Sequence, residues 1–434
     1  MIRSAGRLLL FLFLLLVPSV SGAVLYIDIN APGGKRMPIA LPDFVATGGD
    51  ASLARELPEA IGGDLAMTSL FDVIPRQAYL ERIVTEHFSG RPLSFPDWKM
   101  IGTEAVVIGK VEVRGDQMTV EMRLYDASLG NMMVGKKYSG PASQFRKMAH
   151  KFANEVLYAF TGVRGIFDTE IAFSARPKKG RGKEIYIIGL DGSELRQVTD
   201  NRSFNLFPRW SPDGKRLAYT SYRTGFPQIY LRDLADGTDR IVARYGNSKS
   251  PGSFSPSGDT LYATLSVEGN SDIYRVSLTG SGVQRVVGGW GIEVSPSVSP
   301  DGKALAFVSN RGGSPQIYVK DIGSSDARRV SQAGYYSTSP SWSPAGDRIA
   351  YTSFTDGRYS IYTVRPDGSD PRLVVSGNGD CLDPSFSPDG RYLVYTFRKN
   401  GYSELKITSV DGRWQRGLFK GLSAAGSPSW SPRR

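Results

Sequence analysis

Apolar positions in the second half of the chain recur in short alternating runs whose spacing does not drift. Ile185, Ile229, Ile273, Ile317, Ile361 and Leu405 fall 44 residues apart, and the first five are each followed by tyrosine. A polar series keeps the same interval: Ser211, Ser255, Ser299, Ser343, Ser387 and Ser431, each followed by proline, stand 18 residues ahead of the apolar series wherever both exist. Alternation over four to eight residues is the signature of a half-buried strand, and each unit holds four such runs. In the first full unit these are Arg209-Trp210, then Leu217-Ala218-Tyr219, then Ile229-Tyr230, then Arg240–Val242. Ser-Pro-Asp-Gly or a variant joins the first run to the second. There proline presets φ, Asp or Ser bonds its own backbone, and Gly214, Gly258, Gly302, Gly346 or Gly390 supplies positive φ. A second turn, often Asp-Gly as at Asp236-Gly237 and Asp367-Gly368, is a strong hairpin signal.

A period of 40–50 residues with strand content predicts a propeller or solenoid, because one unit cannot bury its apolar face alone. Ile185 has no Ser-Pro ahead of it, and Ser431-Pro432 has no apolar partner behind it. One unit is thus divided between the two ends of the repeat region, which favours a closed ring whose last strand completes the first sheet and leaves no open edge. The expected fold is an α/β N-terminal domain followed by an all-β propeller of six blades closed by the C-terminal strand.

Upstream the period changes. Phe145, Met148, Ala149, Phe152, Ala153, Val156, Leu157 and Phe160 lie at helical spacing, with Pro141 before them and Gly162 just after. Ala105–Val113, Gln117–Tyr125 and Met133–Tyr138 read as a strand meander, and Ala51–Leu70 and Arg76–Thr85 as helices. At the start, Arg3 and Arg7 precede the apolar run Leu8–Val17 and the small residues Ser21, Gly22 and Ala23. This pattern predicts a cleaved secretory leader rather than a membrane span. The expected division is therefore 1–23 leader, 24–164 α/β domain and 165–434 propeller. Val24–Asn30 is strand-like, with Leu25, Ile27 and Ile29 alternating with Tyr26 and Asp28 ahead of Pro32-Gly33-Gly34. It reads either as an edge strand of its own domain or as a detachable strand that adds to a partner's sheet.

The formal net charge of +11 falls to +9 without Arg3 and Arg7, and still favours acidic surfaces. An exported chain without interleaved aromatic and basic residues is not expected to bind nucleic acid. The single cysteine, Cys381, allows no internal disulfide and reads as a quiet thiol. His87 and His150 are the only histidines, both upstream of the ring. That excludes a histidine-based triad or metal site inside it. His87 is expected at a helix end and His150 off the apolar stripe of its helix. No cofactor is expected. A glycan- or peptide-cleaving propeller would need paired carboxylates, for which Glu293 with Asp380 or Asp383 are the candidates by position.

Loops at one end of a ring form a mouth whose residue types vary on a constant scaffold. The segments read as preceding each inner strand are Asn205, Leu206 and Phe207; Asn247, Ser248, Lys249 and Ser250; Ile292, Glu293, Val294 and Ser295; Tyr335, Tyr336 and Ser337, extending to Ser339; Asp380, Cys381, Leu382 and Asp383; and Ala424–Ser427.

The chain resembles the TolB family of the Tol–Pal system. The resemblance rests on Tyr26-Ile27-Asp28-Ile29, Pro38-Ile39-Ala40-Leu41-Pro42 with Phe44, and Leu70-Phe71-Asp72-Val73-Ile74. It continues through Trp98, Gly102-Thr103-Glu104-Ala105-Val106-Val107-Ile108-Gly109, Arg123-Leu124-Tyr125-Asp126, His150, and Thr161-Gly162 before Gly165-Ile166-Phe167. The six Ser-Pro turns complete it. It implies a non-enzymatic, monomeric periplasmic protein that binds the peptidoglycan-associated lipoprotein Pal at the propeller mouth and passes Val24–Asn30 to the inner-membrane protein TolA. Its implied role is outer-membrane integrity and constriction at cell division, without stable membrane insertion of its own. Pro251 departs from the pattern, standing one place earlier relative to its Ser-Pro than its counterparts do.

Overall fold

The computed structural model describes residues 36–49, 51–79, 87–88, 93–177, 180–243, 246–267, 269–419 and 421–433. The expected leader and the strand Val24–Asn30 lie outside the described residues. The N-terminal domain is one sheet covered by helices. Strands β1 (Met37–Ala40), β2 (Val45–Ala46), β3 (Phe71–Val73), β4 (Ala105–Arg114), β5 (Gln117–Asp126) and β6 (Asn131–Pro141) are ordered β3-β1-β4-β5-β6, with β2 also on β4. Helices α1 (Leu53–Met67), α2 (Phe95–Met100) and α3 (Phe145–Thr161) complete it. The apolar stripe of α3 is buried from Met148 to Phe160, and the helix stops where Gly162 takes φ +67°. The helix expected over Arg76–Thr85 differs. Within the described residues it is a 3-10 turn, Arg76–Ala78, that becomes extended at Tyr79. That conformation lets the Tyr79 hydroxyl accept from Leu41 N and donate to Ile74 O, a pair of bonds that a continuing helix would break.

The propeller consists of six four-stranded sheets. Five are built from consecutive strands. The sixth joins Ser423–Trp430 to β7 (Glu170–Arg176), β8 (Glu184–Gly189) and β9 (Arg196–Gln197), with Trp430 opposite Ile171 and Ser423 opposite Arg176. The division of one unit between the two ends therefore closes the ring. Side chains reinforce it: Trp430 Nε1 donates to Thr169 Oγ1 at 2.8 Å, and Glu170 N to Ser431 Oγ at 3.0 Å.

The Ser-Pro turns show why the 44-residue interval holds. Ser211 Oγ donates to Asp213 Oδ1 and accepts from Arg216 N, while Gly214 sits at φ +66°. Where the turn aspartate is replaced, by Ser257 and by Ala345, an aspartate two positions on serves instead: Ser255 and Ser343 donate to Asp259 and Asp347. Neighbouring turns nest, so that a Cβ on Gly302 would lie 3.3 Å from Pro256 Cδ.

A second ring of bonds runs along the channel. Ser253, Ser297, Ser341, Ser385 and Ser429 each accept, through Oγ, from an inner-strand N–H of the next blade: Val298, Trp342, Phe386, Trp430 and Trp210. Arg209 occupies the sixth position and instead donates from Nε to Gly252 O of the next blade.

The two domains share one apolar core. Leu57, Ile61, Phe152 and Phe160 of the helices are continuous with Ile171, Ile188, Tyr392 and Ile407 of the ring. Each such side chain contributes roughly 1.5–3 kcal/mol on burial. Tyr392 Oη donates to Met67 O across the junction, and Arg416, which reaches Met67 Sδ at 3.8 Å, also donates from Nη2 to Leu190 O within the ring. Leu190 and Tyr392 lie beside the turns that end the third strand and begin the second strand of their blades. The N-terminal domain therefore packs on the Ser-Pro end of the ring, opposite the mouth.

Candidate interaction face at the propeller mouth

Of the sequence-predicted mouth residues, Asn247, Ser248, Ile292, Tyr335 and Tyr336 precede their inner strands; the rest are the first residues of those strands, which run Asn205–Trp210, Lys249–Phe254, Glu293–Val298, Ser337–Trp342, Asp380–Phe386 and Ser423–Trp430. Pairing begins this early because the strand bulges part-way along, between Leu206 and Arg209 in the first blade and at equivalent places in the others. At the bulge Phe207, Ser295, Ser339, Asp383 and Ser427 take φ of +52° to +55° immediately before proline. A threonine on the preceding blade accepts the freed N–H in three cases: Thr264 from Ser295, Thr352 from Asp383 and Thr396 from Ser427. In the second blade the irregularity lies between Pro251 and Ser253, the structural counterpart of the displaced proline.

This placement divides the mouth residues into two sets. Asn205, Lys249, Glu293, Ser337 and Cys381 are buried and act inside the blades. Asn205 Nδ2 donates to Glu184 Oε2, Lys249 Nζ to Pro227 O, and Ser337 Oγ shares a proton with Ser353 Oγ. Glu293 Oε1 accepts from Ser309 Oγ at 3.0 Å and Arg311 Nη2 at 2.9 Å. Burial raises the Glu293 pKa, against the pull of Arg311. Burial likewise pushes the Cys381 thiol up to about 11. In the unbound chain these five side chains are engaged within the blades. Leu206, Ser250, Val294, Ser295, Asp380, Leu382 and Asp383 are half-buried, while Phe207, Asn247, Ser248, Ile292, Tyr335 and Tyr336 are exposed.

The exposed set is larger than the sequence reading found. An up-and-down blade brings a second group of loops to the same end, those joining its second and third strands. They add Tyr222, Phe226 and Tyr402, and the segments before the inner strands add Phe204 and Trp290. Trp290 is 104% exposed, Phe226 72% and Tyr335 66%. Tyr335, Phe354, Tyr359 and Tyr336 form an edge-to-face chain with centroids 4.9–6.1 Å apart. Arg202, Arg223, Arg311, Arg358 and Arg398 are exposed among them, three of them paired with Asp239, Glu293 and Asp380, and Asp200 and Asp356 are exposed acids. Aromatic residues in loops at a four-strand interval were the available signal; considering one loop set alone missed them.

Behind the rim a channel of about 470 Å³ runs between the inner strands. Its lining is serine, proline and aromatic residues, with Arg209 and Asp383 as its charged members. The candidate acid pair does not assemble as an unencumbered pair: Glu293 is tied to Arg311, Asp380 Oδ2 pairs with Arg398 at 2.9 Å, and Asp383 Oδ1 accepts from Ser339 Oγ at 2.8 Å. Among the described residues no group of three or more His, Cys, Asp or Glu side chains gathers to hold a metal ion.

His87 Nε2 meets the Arg123 and Tyr125 side chains, whereas His150 departs from expectation. His150 is buried, because α1 and the Asp191 turn of the ring cover that flank of α3. Its Nδ1 lies 2.6 Å from Asp64 Oδ2 and its Nε2 3.5 Å from Asp191 Oδ2.

Two family patterns match the chain, one described as the TolB amino-terminal domain over residues 25–133 and one as the TolB beta propeller domain over residues 158–434. The chain belongs to the TolB family. A protein of Desulfosudis oleivorans named Tol-Pal system protein TolB is 37% identical over 61% of this chain and 61% of its own length. One of Jannaschia sp. with the same name is 42% identical over 46% of this chain and 45% of its own. The matched stretches thus span about half to three-fifths of these TolB relatives. The crystal structure of TolB from Acinetobacter baumannii superposes over 92% of this chain and 98% of its own with a TM-score of 0.76 at 28% identity. Among the described residues, no helix of this TolB family member is long and apolar enough to cross a membrane.

Proposed function

We propose that the chain is a non-enzymatic periplasmic adaptor of the Tol–Pal system. Its propeller mouth docks a Pal-like outer-membrane lipoprotein, and Val24–Asn30 engages a TolA-like inner-membrane protein. The observation that carries the reading is the gathering of exposed aromatic and arginine side chains at one end of the ring. These residue types dominate binding energy at protein interfaces, and here they stand on rigid strand ends and short loops. Family membership supports the choice of partner. Coupling between the membranes would support envelope integrity and constriction at division. A hydrolytic propeller is disfavoured because Glu293, Asp380 and Asp383 are each engaged by other side chains.

The test is titration of the lipid-free lipoprotein from the same cell into the intact chain and into Trp290→Ala and Phe226→Ala variants. The expected result is binding by the intact chain and at least tenfold weaker binding by each variant. Equal binding by all three would remove the mouth from the interface. A parallel titration with the periplasmic part of the TolA-like protein should lose binding when residues 24–30 are deleted.

A further inference from the structure

Five of the six blades place a serine at the channel position that stitches one blade to the next, and the sixth places Arg209. A guanidinium there is a departure from the molecule's own repeat. Nε donates to Gly252 O and Nη1 to Pro208 O, both at 2.9 Å; among the described residues Nη2 has no hydrogen-bond partner. The other charged lining group, Asp383, influences Arg209 but forms no ion pair with it. Asp383 is already bonded to Ser339 Oγ and also acts on Lys183. The channel lining thus carries one cation, Arg209, and one carboxylate that is already bonded to Ser339. Burial disfavours the charged form of Arg209, yet arginine stays protonated in proteins, so its unshared donors call for an anion.

We infer that the channel is a carboxylate-binding socket, in which Arg209 receives an aspartate or glutamate side chain from a loop of the protein docked on the mouth. The inference rests on the mouth being the partner face. A cavity of about 470 Å³ has room for one inserted side chain and the backbone of its loop. The planar guanidinium offers donors in the geometry that a carboxylate accepts. Serine hydroxyls and the prolines around Arg209 do not compete as anions, and Arg209 is half-buried, which strengthens the contact relative to a rim ion pair. The socket confers specificity: an amide in place of the acid leaves the guanidinium desolvated and unpaired.

The experiment uses two capped hexapeptides of otherwise identical sequence, one with a central glutamate and one with a central glutamine. Each is titrated into the intact chain and followed by the fluorescence of the channel-lining Trp210, Trp342 and Trp430. The glutamate peptide is expected to bind about tenfold more tightly. Arg209→Ser, which installs the side chain the other five blades carry and so is compatible with the ring, is expected to erase the preference with an unchanged melting temperature. Equal binding of the two peptides by the intact chain, or a preference that survives in Arg209→Ser, overturns the socket. The peptide comparison does not involve the lipoprotein, so failure of the socket is distinguished from failure of the mouth, which the Trp290→Ala titration reads.

Discussion

His150 Nδ1 and Asp64 Oδ2 lie 2.6 Å apart and join α3 to α1 beneath the ring, while Nε2 of the same imidazole faces Asp191 of the propeller. Burial alone would lower the His150 pKa, but the attraction of Asp64, followed by that of Asp191, raises it from 6.5 to about 10. The raised histidine contributes stability below pH 6.5 that is lost as pH rises through about 10, while burial raises Asp64 to about 6, so the ion pair is also weakened as Asp64 protonates below that. His150→Gln removes the cation and leaves the buried Asp64 carboxylate beside Asp191. We expect a loss of about 3–5 kcal/mol near pH 6.5. The gap in melting temperature between the two proteins should narrow as pH approaches 10; thermal melts across pH 6–10.5 check this.

Trp430 anchors the closing strand, buried and bonded through Nε1 to Thr169 Oγ1. Trp430→Ala is expected to cost about 3–5 kcal/mol. Removal of residues 423–434 should do more, since it bares the edge of β7 and invites association with other chains. Urea titration measures the first, and light scattering with melting temperature the second. A truncated chain that melts like the intact one would contradict ring closure by this strand.

Gly252 lies where the inner strands converge, and a Cβ there would clash with the Pro296 ring and its carbonyl oxygen. The obstacle is a rigid proline ring and a backbone oxygen, which yield little. Gly252→Ala is expected to destabilise by about 1–3 kcal/mol, read from the urea midpoint at constant slope.

At the rim the expectation is the reverse. Trp290 has its whole side chain in solvent, so Trp290→Ala should change stability by no more than about 0.5 kcal/mol while weakening partner binding by about 2 kcal/mol or more. Calorimetric melting and titration of one preparation separate the two effects.

Cys381 supplies an internal reporter. With its pKa raised to about 11 by burial, roughly one thiol in a thousand is ionised at pH 8, and that one is enclosed. A chromogenic disulfide reagent at pH 8 should react at the rate of unfolding. Rapid reaction with the folded chain would show that the inner strand of this blade opens locally.

The ring was legible because its period is written in local chemistry. A serine, a proline and a glycine fixed in one turn recur whatever the loops between them do, and the orphaned Ile185 and Ser431 identify the closing sheet. The N-terminal meander was legible from alternation, and α3 from its stripe and Gly162. Features that depend on distant partners were not. His150 looks peripheral on its own helix and becomes central only when Asp64, 86 residues away, and Asp191 are brought to it. Glu293 and Asn205 read as rim residues until the bulge turns their side chains into the blade. Trp290 and Phe226 belong to different loop sets that only the up-and-down course of a blade places together. Arg209 falls on the same 44-residue ruler as Ser253, Ser297, Ser341, Ser385 and Ser429, so the exception is readable in the sequence, but that these side chains stitch neighbouring blades is not.

Ser431 meets Glu170 across 261 residues of chain, and this sets the order in which the molecule can be made. Five blades can form from consecutive hairpins as each is synthesised, but the sixth waits for the last strand to arrive. Contacts of such high sequence separation are slow to form. Until they do, the nascent chain is an open arc with β7 exposed, so the arrival of Ser423–Trp430 decides when a vulnerable intermediate becomes a closed ring.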